Sequence, residues 1–113
     1  MLVLTNRARR HHDVHALKLN LRLSRSSRHH SVRMARRHRL FHTSNMDRVL
    51  RHWHVRTWGE NVGETPTTLR ALQRAFMRSP LHRSNLLNRR FRHVGIGVVR
   101  AGGKLWVTLD FYG

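Results

Sequence analysis

The C-terminal segment most constrains what this chain can become. Val94, Ile96 and Val98, then Leu105, Val107, Leu109 and Phe111, alternate with other residues on either side of Ala101-Gly102-Gly103. Period-two alternation marks strands with one buried face, and glycines between two such runs predict an antiparallel hairpin. Everything upstream reads differently.

Thr5 to Leu17 predicts a first helix, with Ala8, His12, His15 and Ala16 at helical spacing. Asn20 can cap a second, in which Leu21, Leu23, Ser27, His30, Met34 and Ala35 form a buried stripe up to Arg37 or His38. Leu40 to Asn45 favours a loop, because short polar side chains there compete for backbone hydrogen bonds. Met46 to Gly63 holds enough apolar surface for an irregular stretch or short helix, with Trp53 and Trp58 as core or cleft-wall residues. Thr65-Pro66-Thr67 predicts a helix start and a helix to about Arg78, and Ser79-Pro80 opens another through Leu87. Helices followed by an antiparallel hairpin make an α+β domain.

The 113 residues suit a single domain, 1–113, with one modest core. With no cysteine, there is neither a disulfide framework nor a thiolate metal site. No apolar run approaches the roughly 20 residues a membrane-spanning helix needs, and Met1 to Leu4 is too short for a signal-peptide core. Lys and Arg together number 23 against 5 acidic residues, a formal charge of +18, and Lys18 and Lys104 are the only lysines. Arginine-rich codon usage or selection for a polyanionic partner would each produce this pattern.

Phosphate-binding loops, nucleophile elbows and paired zinc-binding histidines on one helix turn, as in H-E-x-x-H, are all missing, and Gly95-Ile96-Gly97 sits in a strand pattern where glycine signals close packing. Three polar side chains stand among apolar or structure-forming neighbours: His42 after Leu40-Phe41, Glu60 after Trp58-Gly59, and His82 after Pro80-Leu81. Two imidazoles and a carboxylate that converge can hold a divalent metal or act as acid and base. Eleven histidines also make chance pairings common, and Glu60-Asn61 between glycines reads equally well as a structural turn.

The order of segments then shows a resemblance. HS-x-x-MA (30–35), LFHT (40–43), WGENVG (58–63), SPLHRSNLL (79–87), VGIGVV (94–99) and LWVTLDF (105–111) together resemble a bacterial CAP domain, of the cysteine-rich secretory protein, antigen five and pathogenesis-related group. The resemblance implies an α-β-α sandwich, with a sheet between helical layers and a cleft containing His42, Glu60 and His82. A second cleft glutamate, common in eukaryotic members, has no counterpart here; Ser79 is the nearest match. It implies a secreted, extracellular, monomeric binding module for a cleft ligand, with His42 and His82 as candidate ligands for zinc or another divalent metal. A hydrolase using the same cleft is the alternative, and a basic protein binding an anionic cell-envelope polymer, anionic lipid or, less favoured, nucleic acid is the third. The chain starts almost at the first helix, and so reads as a mature fragment or a late start.

Overall fold

The computed structural model describes residues 1–113. In chain order the elements are α1 (Leu2–His11), β1 (Lys18–Leu19), α2 (Leu21–Arg37), α3 (Met46–Leu50), β2 (Trp58–Thr65), α4 (Leu69–Arg78), α5 (Pro80–Leu86), β3 (His93–Ala101) and β4 (Lys104–Tyr112). The sheet order is β1-β3-β4-β2, which leaves β2 on one edge. The β3–β4 and β2–β4 pairs are antiparallel, while the two-residue β1 adds in parallel to β3.

The hairpin forms where the alternation places it. Ala101 pairs with Lys104 around Gly102 and Gly103, whose φ values of 59° and 76° suit a two-residue turn that needs positive φ twice. Alternate residues of β4 then meet different helical layers. Val107, Leu109 and Phe111 join Leu72, Phe76 and Leu86 of α4 and α5 in the larger core, which also takes in Val94 of β3. On the other face, Thr108 lies 2.8 Å from Ser31 of α2 and Asp110 accepts from Ser27 of α2 at 2.6 Å. The sheet is thus enclosed between α2 and α3 on one side and α1, α4 and α5 on the other, the sandwich that the resemblance implies.

Gly97 explains how closely α2 approaches the sheet: a Cβ there would lie 2.3 Å from the Arg28 backbone nitrogen. Asn20 caps α2 as expected, accepting from the Leu23 amide at 3.0 Å, and His38 ends the helix at φ 52°.

Three boundaries differ from expectation. α1 runs from Leu2 to His11, not Thr5 to Leu17, because Asp13 adopts φ 57° and Arg9 points inward instead of belonging to a solvated face. Fully buried, the Arg9 guanidinium donates to the carbonyls of His15 (2.7 Å), Leu86 (2.9 Å), Asn88 (3.1 Å) and Phe91 (3.1 Å). Burial and the neighbouring Arg89 lower its pKa to about 10. The second difference is β2, a full strand where an irregular stretch or turn was expected. Its glycines let helices close in: a Cβ on Gly63 would meet Phe76 at 2.8 Å, and one on Gly59 would meet Asn85 at 2.6 Å. Third, Thr65 ends β2, and it is Thr68 that caps α4, accepting from the Ala71 amide at 3.1 Å.

Candidate functional site

His42 and His82 reach the edge strand β2 from opposite layers of the sandwich. His42 lies on the loop between α2 and α3, as expected, and Glu60 points from β2 toward it. His42 Nδ1 sits 2.8 Å from Glu60 Oε1, the same oxygen that accepts from the Thr43 amide at 2.9 Å. Oε2 accepts from the Thr43 hydroxyl at 2.6 Å. The His42 side chain is 69% exposed and the Glu60 side chain 2%, so the pair links solvent to the interior. An ionised Glu60 makes Nδ1 the protonated nitrogen of a neutral His42 and leaves the Nε2 lone pair free.

Burial alone would raise the pKa of Glu60, but hydrogen bonds from Asp110, Thr43 and His42 outweigh it and hold the carboxyl below its ordinary range. Asp110 is the opposite case. It is Glu60's register partner on β4, is buried, and is pushed well above the usual carboxylate range, first by burial and then by the hydrogen bond to and charge of Glu60. Its Oδ1 has no donor, so nothing at that oxygen offsets the cost of ionisation.

His82 belongs to the other layer. Its Nδ1 lies 2.7 Å from the Ser79 hydroxyl, and its ring stacks on Phe76 at 4.8 Å between centroids. Burial lowers its pKa, a hydrogen bond to the Val62 backbone opposes that, and the charge of His42 lowers it further. Asn61 and Asn85 hold this side in place: Asn61 Nδ2 donates to the His82 carbonyl at 3.0 Å, and Asn85 Nδ2 donates to Asn61 Oδ1 at 2.9 Å. Asn61 thus has a structural role, but on a strand and not in the turn that its flanking glycines suggested.

No three His, Cys, Asp or Glu side chains are arranged to hold a metal. The chemistry of the pair nevertheless suits one: a carboxylate behind Nδ1–H is the usual way to orient an imidazole whose Nε2 binds an ion. In that arrangement Glu60 orients and does not ligate. His82 would have to exchange a present hydrogen bond to contribute a nitrogen.

Sequence reasoning missed Asp110 and Thr43. Thr43 carried no signal beyond its place after His42. Asp110 did carry one, since it is the only charged residue within the apolar run of β4.

Comparison with known proteins agrees with the fold. The chain is 31% identical, over 97% of its length, to the uncharacterised protein YkwD of Bacillus subtilis, and covers 44% of that protein. An extracellular SCP-domain protein of Bacillus anthracis matches 98% of the chain at 26% identity with a TM-score of 0.82, and the chain covers 38% of it. A cysteine-rich secretory protein of Staphylococcus aureus matches 98% at 26% identity with a TM-score of 0.83, the chain covering 36%. The chain therefore spans less than half the length of each of these relatives. The profile of the cysteine-rich secretory protein family, CAP, matches residues 2–111, and the chain belongs to that family as a CAP domain of the bacterial type.

Proposed function

We propose that residues 1–113 form one extracellular binding module, whose cleft over β2 takes a divalent ion or small polar ligand between His42 and His82. The observation that carries this reading is the 2.8 Å contact of His42 Nδ1 with buried Glu60, which leaves an exposed imidazole with its Nε2 free. Two imidazoles leave about half the positions of a four-coordinate zinc open to water or a further ligand. The extracellular placement rests on the description of the Bacillus anthracis relative.

Isothermal titration of zinc into the domain and into Glu60→Gln tests it. Loss of the carboxylate behind a ligating imidazole weakens metal binding by about 10- to 100-fold. Unchanged affinity in Glu60→Gln would remove Glu60 from the site.

The same His42–Glu60 pair supports a second reading, an acid–base or metal-assisted hydrolase in which His42 moves a proton. Any hydrolytic activity has to disappear in His42→Ala/His82→Ala, and activity that survives both changes lies elsewhere.

A further inference from the structure

The long helix α2 contains no acidic residue. Its exposed side presents Arg22, Arg25, Arg28 and Arg36. From Arg22 to Arg36 the axis rises about 21 Å at roughly 1.5 Å per residue. Two concavities open along it. One, of about 200 Å³, is lined by Arg22 and Ser26 together with Arg48, Arg51 and His52 of the following segment. The Arg22 guanidinium donates there to His52 Nε2 at 3.2 Å, so His52 is a neutral acceptor. The other, of about 440 Å³, lies among Arg28, His29, Arg33 and Arg36.

These guanidiniums have no internal counter-charge. The molecule's two ion pairs are His42–Glu60 and Lys104–Glu64, and neither involves an arginine. Asp47 is the one carboxylate on α3. Unpaired guanidiniums spaced along a helix, with forked donors that match phosphate oxygens, suit a chain of repeating phosphates.

We propose that the outer face of α2 is a second binding surface, separate from the cleft, for a phosphodiester polymer of the cell-envelope type. The exposed side of α2 carries no Phe, Tyr or Trp, the rings on which bases stack best, and its one exposed aromatic ring is the His29 imidazole. Trp53, the indole that lines the smaller concavity, is half-buried and already stacked on Tyr112. The surface therefore meets phosphates and leaves bases unread, which favours a base-free polymer over single-stranded nucleic acid.

The test uses purified poly(glycerol phosphate), with double-stranded DNA at matched phosphate concentration, across a salt series. One variant changes Arg22, Arg25, Arg28 and Arg36 to Gln. A control of equal charge changes Arg7, Arg70, Arg74 and Arg78 on α1 and α4. All eight sites are exposed and Gln is a good helix former, so both variants keep the fold, which their thermal midpoints verify. The α2 variant is expected to bind the polymer at least tenfold more weakly at 0.1 M salt and to lose about three units of log–log salt slope, at roughly 0.7–0.9 per phosphate contact. The control is expected to change affinity less than threefold. Equal weakening by the two sets would reduce the binding to net charge and overturn the proposal. So would tighter binding of DNA than of polymer, or the absence of polymer binding by the wild type, and these two readouts do not depend on any variant.

Discussion

At the scale of single residues, the buried charges decide most. Glu60 keeps its charge inside the protein because three neighbours donate to it, and Asp110 gives up its own charge to become one of them. Asp110's pKa is raised on folding, so the stability it contributes is present below its unfolded value and is lost as pH rises through the folded one. At neutral pH it is a standing cost. Asp110→Asn removes that cost while keeping a donor for Glu60, and is expected to raise the thermal midpoint at pH 7; a lower midpoint would contradict the cost assigned to Asp110. Arg9 is a different kind of buried charge, shared among four carbonyls instead of paired with a carboxylate. Arg9→Met leaves the His15 and Leu86 carbonyls without donors, while those of Asn88 and Phe91 keep the Phe91 amide and His15 Nε2, and is expected to destabilise by about 3 kcal/mol in urea unfolding, since each unsatisfied buried group costs roughly 1–3 kcal/mol. His42, Glu60 and His82 could be found in the sequence because they sit in LFHT, WGENVG and SPLHR. The inward turn of Arg9 could not, because its partners are backbone oxygens up to 82 residues away.

Elements differ in how far local sequence determines them. The hairpin and α2 followed from periodicity and caps, since their defining residues are neighbours in the chain. β2 did not, because its WGENVGET pattern lacks alternation: Gly59 and Gly63 face α5 and α4, and Glu60 faces a carboxyl. Those are tertiary reasons, invisible to a local pattern. The close approach of α2 to β3 gives a sharp test at this scale. Gly97→Ala would place a methyl group 2.3 Å from backbone atoms that have nowhere to go. The expected cost is roughly 3 kcal/mol, the upper range for overpacking. Chemical denaturation measures it, and a change below about 1 kcal/mol would mean that α2 can move away freely.

For the whole molecule, the sandwich places two imidazoles from opposite layers on one edge strand, and its stability depends on pH as a consequence. His82 and His93 have folded-state pKa values depressed chiefly by burial, and Glu60 is depressed by its donors. The stability each contributes is present above its unfolded value, near 6.5 for the histidines, and is lost as pH falls through the folded values. In Asp110→Asn, where the opposing titration of Asp110 is removed, the thermal midpoint should therefore fall progressively from pH 7 to pH 5, and a flat profile over that range would contradict the burial of these rings. The excess of arginine was plain in the sequence, but its grouping along α2 beside Arg48 and Arg51 required the fold. The claim at the centre of this account is that His42, backed by Glu60, presents Nε2 to the cleft opposite His82. Long-range ¹H–¹⁵N NMR of the eleven imidazoles, before and after addition of zinc, tests it most directly. The account predicts His42 as the Nδ1–H tautomer in the free protein, with zinc shifting His42 and His82 and leaving the other nine in place. A His42 protonated on Nε2, or zinc shifts confined to other histidines, would contradict it.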